Sequence, residues 1–241
     1  MVSQWLRRTL RRTGLHVPFN GVVCPEDVKS ICVEPGVGAL VTVRRTLVFL
    51  EVPEPGDLVD TIPESGVDPT NSLYESPDAL EIARAPRGRA MRVAWRPRGV
   101  ITPYALYTHQ YSWRPSGSYA QPAQYTEVAC EMRTGALVLE MITPATFEAA
   151  VVFRRPRWPR LTTERRVIEH ALRALDSNEG ERPVLTEHGR RLTWKVTGPQ
   201  PGDRYICVVF HAHSVAQWQD RLKAMSLMGR LRELMRPLLP A

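Results

Sequence analysis

Met91-Arg92-Val93-Ala94-Trp95-Arg96 and Arg191-Leu192-Thr193-Trp194-Lys195-Val196 are the two stretches whose reading decides the fold. Successive residues of a strand point to opposite faces. Period two therefore turns Met91, Val93 and Trp95, and likewise Leu192, Trp194 and Val196, toward one interior and leaves Arg92, Arg96 and Lys195 in water. A helix would scatter the same side chains around its circumference and bury none of them together.

Working outward, strand-like segments rich in β-branched and aromatic residues recur at 31–33, 39–43, 47–52, 125–132, 136–142 and 148–153. The segment 104–113 sets Tyr107, His109, Tyr111 and Trp113 on one face and Tyr104, Leu106, Thr108, Gln110 and Ser112 on the other. The segment 205–210 is apolar on both faces, which suits a central strand. Thr134-Gly135 reads as a tight hairpin between two of these segments. Pro156 and Pro159 end the run after 153, because proline cannot donate to a central ladder.

Helical spacing appears in three places. Trp5-Leu6-Arg7-Arg8-Thr9-Leu10-Arg11-Arg12 reads as a short cationic amphipathic helix: a surface helix docked by Trp5 and Leu10, an anion-binding arm, or an organellar transit peptide. A second helix is expected over 163–175, where Ile168, Ala171, Leu172 and Leu175 recur behind Thr162 or Thr163 as N-cap. A long amphipathic helix should start at Ser214, with Trp218, Leu222 and Met225 leading into Leu227, Leu231 and Leu234. The expected class is α+β, a mainly antiparallel β-sheet or β-sandwich with these three helices.

The 241 residues, 43% of them hydrophobic, can form a core without a metal or disulfide staple. Three regions are expected. Residues 1–52 hold the first helix and a small meander, residues 53–83 form an acidic proline-rich loop or linker, and residues 84–241 make the main β-rich domain. One continuous domain is the alternative. No window reaches the roughly 18 to 20 apolar residues of a spanning helix, and no apolar run follows the first arginines, so a cytoplasmic setting is expected. Cys24, Cys32, Cys130 and Cys207 lack CxxC pairing and read as buried, inert thiols.

The net charge of +7 is unevenly spread. Residues 51–81 carry nine acids and no lysine or arginine; residues 84–98 reverse this with Arg84, Arg87, Arg89, Arg92, Arg96 and Arg98. Opposite blocks either neutralise each other or meet an external ligand. A basic strand beside an aromatic one matches single-strand nucleic-acid binders, with Arg92, Arg96, Arg98, Arg154, Arg155 and Arg157 on phosphates and Tyr107, Tyr111 and Trp113 stacking on bases. The competing reading makes those rings an inward core face.

His211-Ala212-His213 places two imidazoles on one side of an extended chain, able to supply two ligands to a metal-dependent hydrolase, but no spacing specifies a third. No nucleophile elbow or phosphate-binding loop occurs. No catalytic residue, cofactor or metal site is assigned. The expected function is a non-enzymatic recognition or assembly module with a protein partner. Trp218, Leu222, Met225 and Met228 then face that partner, a membrane surface or the protein's own sheet.

Overall fold

The computed structural model describes residues 21–34, 38–53, 58–63, 75–87, 90–115, 123–154, 164–177 and 179–235. The helix expected around Trp5 and Leu10 lies outside them. In chain order the described strands are β1 (Val22–Glu34), β2 (Gly38–Phe49), β3 (Leu58–Pro63), β4 (Ala79–Arg87), β5 (Ala90–Pro97), β6 (Leu106–Trp113), β7 (Ala123–Ala129), β8 (Arg133–Ile142), β9 (Phe147–Arg154), β10 (Val184–Thr186), β11 (Arg191–Thr197) and β12 (Arg204–His211). The described helices are α1 (Glu164–Asp176) and α2 (Ser214–Met235). Pairing is mostly antiparallel, and the class is α+β.

The chain divides into two compact units, each discontinuous in sequence: Met1–Tyr119, Cys130–Ile142 and Lys195–Asp203 form unit 1, and Ala120–Ala129, Thr143–Trp194 and Arg204–Ala241 form unit 2.

In unit 1 the three short segments read near the N-terminus are two long strands, paired antiparallel from Val22↔Phe49 to Glu34↔Gly38. Strand β6 lies antiparallel beside β2, and β8 lies parallel beside β1. The order is thus β8-β1-β2-β6, with the unit-1 portion of β11 beyond β8. A second sheet runs β3-β5-β4. Strand β3 and the start of β4 arise from the stretch expected as an acidic loop, because Leu58 and Ile62 turn inward on either side of Asp60, whose charge is met by Arg45 and His109. The interior lies between the sheets, where Leu47 and Phe49 of β2 cluster with Leu58 of β3 and Trp95 of β5. Met91, Val93 and Trp95 are all buried, as their alternation requires.

The hairpin expected at Thr134-Gly135 does not form: β7 pairs with β12, and Gly135 lies inside β8. Its lack of a side chain has a different cause. A Cβ there would stand 2.6 Å from the Pro25 carbonyl oxygen, beside the bulge between Val23 and Glu26 of β1. Pro25 has no amide hydrogen to give to the ladder, and a bulge is where a strand tolerates that.

In unit 2 the sheet order is β7-β12-β9, with β12 central as its apolar faces demand. Helix α1 sets Val167, Ile168, Ala171 and Leu172 into a cluster with Phe153, Ile206, Val208 and Phe210. The guanidinium of Arg182 donates to the Ala174 and Leu175 carbonyls, satisfying acceptors that the end of α1 leaves open. Leu192 and Trp194 are buried and Val196 is half-buried. Ser214, where the helix was expected to start, donates its hydroxyl to the His211 carbonyl at 2.6 Å, and the Glu148 carboxylate accepts from the Val215 amide.

Gly135→Ala should lower stability by about 1–3 kcal/mol, since the new methyl meets backbone rather than a movable side chain. Urea unfolding of the two proteins measures this, and equal midpoints would show that Pro25 can withdraw at no cost.

Candidate functional site

The residues expected to hold nucleic acid divide by burial. Tyr111 and Trp113 face the unit 1 interior, where His109, Tyr111 and Trp113 form a ring ladder with centroids 5.3 and 5.8 Å apart. Neither offers a face to a base, which corrects the stacking assignment. They sit on the strand face that meets the second sheet. Tyr107 is half-buried against Phe49, and its hydroxyl donates to the Asp78 carbonyl. On β5, Arg92 is half-buried and Arg96 is exposed; Arg98, just past the strand, is exposed. Arg154 is exposed in unit 2, while Arg155 and Arg157 lie outside the described residues.

Of the residues expected on a partner surface, Trp218 and Leu222 are half-buried and pack on the α1 cluster of unit 2. The start of α2 is therefore spent on its own unit. Met225 and Met228 fall within α2, with side chains outside what is described.

His211 ends β12, half-buried beside Phe147, and burial lowers its pKa. His213 lies beyond the strand at φ 64°, so the extended geometry that would align the two imidazoles is absent. Among the described residues, no group of three or more His, Cys, Asp or Glu gathers to hold a metal.

The densest chemistry was not anticipated from the sequence. Arg45 of β2 is buried between the two sheets of unit 1. Its Nε donates to Asp27 of β1 at 3.0 Å, one terminal nitrogen to Asp60 of β3 at 2.9 Å, and the other to Glu131 at 3.2 Å. The second Asp60 oxygen meets His109 Nε2 at 2.8 Å, and the His109 ring stacks on Trp95 at 3.7 Å. Burial opposes the Arg45 charge, but Asp27, Tyr111, Glu131 and Asp60 outweigh it and raise its pKa well above the ordinary value. Burial likewise raises Tyr111, with Arg45 pulling the other way. Asp60 and His109 are fully enclosed, so these groups brace the sheets and present nothing to a substrate. The signal was present: Arg45 shares the inward parity of Val41, Val43, Leu47 and Phe49.

What unit 1 does present is apolar. Leu50, Val52, Val100, Tyr104 and Leu106 are five of the nine exposed large hydrophobic residues found among the described residues. Leu50, Tyr104 and Leu106 lie at one end of the β2–β6 pair, and Val52 and Val100 belong to the segments that lead away from it and into it. The Tyr104 amide donates to the Phe49 carbonyl, which brings the 102–105 turn against the end of β2. Leu106 is paired with Val48 across β6 and β2, Leu50 and Val52 continue from β2, and Val100 precedes Ile101, which packs on the Phe49 cluster. Tyr104 is 75% exposed at φ 66°, a conformation costing a non-glycine residue about 1 kcal/mol or more. The strained residue of this turn thus carries an aromatic ring that stands in water. Sequence reading placed Tyr104 and Leu106 on the outer strand face without separating them from ordinary surface.

Three thiols, Cys24, Cys130 and Cys207, are buried as expected, whereas Cys32 is exposed, because it lies on the outward parity of β1.

No protein-family model matches the chain, and no curated protein matches it. Among solved structures, a protein of Legionella pneumophila subsp. pneumophila provisionally described as nutrient binding is similar, with a TM-score of 0.39 and 13% identity over 84% of this chain and 71% of that one. A likeness that distant carries no functional argument.

Arg45→Met should cost about 3–5 kcal/mol, because it takes the cation from the buried carboxylates of Asp27 and Asp60, and adding Asp60→Asn should recover part of that loss. Thermal or urea unfolding of the single and double variants checks both; full stability of the single variant would dissolve the bracing role. Burial, then Asp27, pushes the Cys24 thiol up to about 12, and burial also raises Cys130. The thiolate is the reactive form, so at pH 8 the native chain should titrate one thiol with Ellman's reagent, Cys32, and all four after unfolding.

Proposed function

We propose that this protein is a non-enzymatic recognition module that binds a protein partner through the exposed apolar end of unit 1. The observation that carries this reading is Tyr104: a ring set out in solvent at energetic cost, amid Leu50, Val52, Val100 and Leu106. Apolar side chains gathered on a braced scaffold gain free energy by leaving water, and tyrosine is enriched among the residues that dominate such interfaces. The scaffold beneath is stiff, because Phe49 and Trp95 are buried directly behind the rim and Arg45 ties the sheets together. A preformed surface of this kind binds without a large ordering cost.

Tyr104→Gly separates binding from folding. Glycine adopts a positive φ without strain, so the variant should be as stable as the wild type or up to about 1 kcal/mol more so. A partner recovered on the immobilised wild-type chain and then purified should bind Tyr104→Gly about tenfold or more weakly by titration calorimetry. It should bind Val184→Ser, which alters an exposed apolar residue of unit 2, with unchanged affinity. Equal binding to Tyr104→Gly and the wild type would remove the rim as the recognition surface.

A further inference from the structure

We infer that the partner engages this rim as an extended segment that adds a strand to the free edge of β6. The inference rests on the recognition reading above and names the conformation of the partner. Strand β6 ends the order β8-β1-β2-β6, so one side of it faces away from the sheet. Hydrogen-bonding direction alternates along an antiparallel strand, and one observation sets the phase. Both the Ser112 amide and the Ser112 carbonyl bond to Glu75, on the side away from β2, at 2.9 and 3.1 Å. Gln110 follows the same phase, since its carbonyl accepts the Ser76 hydroxyl at 2.8 Å. Thr108 and Leu106 come next in that phase. Their backbone donors and acceptors point off the same edge, and none has a partner among the described residues.

The protein has begun this pairing and then abandoned it. Glu75 forms an antiparallel bridge with Ser112, but Pro77, two residues on, has no amide hydrogen with which to continue the ladder. From Ala79 the chain pairs with Pro97 in the other sheet. Among the described residues no strand pairs with this side of the stretch from Leu106 to Thr108, and both residues are exposed. An occupant that continues the Glu75 pairing must be an extended backbone, since only alternating amides and carbonyls at strand spacing match those groups.

Side chains specify the rest. Residues opposite each other on paired strands project to one face. A partner residue opposite Leu106 therefore lies on the face of Val48 and Leu106, within reach of the Tyr104 rim, and should be apolar and β-branched or aromatic. Its immediate neighbours project to the opposite face.

The test uses the full chain and a phage-displayed library of linear heptapeptides. An enriched peptide, resynthesised with a fluorophore, is titrated by anisotropy against the wild type, Thr108→Pro and Tyr104→Gly. The Thr108 amide is not used within the sheet, so proline there should leave the thermal melt near that of the wild type. Strand addition predicts that Thr108→Pro weakens binding by about tenfold or more. It also predicts that N-methylation of the peptide at one set of alternate residues abolishes binding while the other set tolerates it. The methylated peptides need no protein variant, so they decide the matter even if Thr108→Pro fails to fold.

Binding that survives both Thr108→Pro and every single N-methylation but is lost in Tyr104→Gly would overturn strand addition and leave rim recognition standing. Enrichment of no peptide, or binding indifferent to all these changes, would overturn both. Self-association of the wild type that Thr108→Pro abolishes would assign the edge to a second copy and overturn the inference.

Discussion

A guanidinium removed from water between two sheets must be met by carboxylates, and in this protein that requirement organises unit 1. Arg45 takes Asp27 from β1, Asp60 from β3 and Glu131 from the segment before β8. No one of these elements can leave without stranding charge in the interior. The cluster also sets register. A slip of one residue along β2 would carry Arg45 to the outer face and take its guanidinium from Asp27 and Asp60. A buried cation thus makes a specific arrangement out of sheets that apolar packing alone would hold more loosely.

The same cluster explains why groups that look reactive in the sequence are inert in the fold. Asp60 belongs to the acidic stretch, yet it faces inward to Arg45 and His109 rather than toward the basic block that follows it. His109, Tyr111 and Trp113 line the interior as a stacked ladder. What remains outside is the apolar rim around Tyr104 and, among the described residues, an unpaired stretch of β6, the two features on which the proposed recognition rests. These two features adjoin, because Leu106 belongs to both.

Each unit is assembled from distant pieces of chain. Strand β8 joins the sheet of unit 1 in parallel beside β1, over a hundred residues earlier, with Asp27 opposite Leu137. The central strand of unit 2, β12, pairs on one side with β7 and on the other with β9. Pairings so remote in sequence carry a large loop-closure cost and form only when the rest of the interior rewards them.

That remoteness divides what the sequence by itself determined from what only tertiary structure decided. Period-two burial of Met91, Val93 and Trp95, the central character of the 205–210 segment and the helix beginning near residue 163 follow from local patterning, which needs nothing beyond a few neighbouring side chains. Which strands meet does not, since alternation names the inward face of a strand and not its neighbour. Thr134-Gly135 read as a hairpin because a turn and a close backbone approach both call for glycine, and only the position of Pro25 tells them apart. The inward parity of Arg45 was legible; the carboxylates waiting for it were not, because Asp27, Asp60 and Glu131 converge only once two sheets are stacked. Likewise the ring of Tyr104 stands in water because the end of β2 holds its backbone in a left-handed conformation, a constraint that exists only after the chain has folded back on itself.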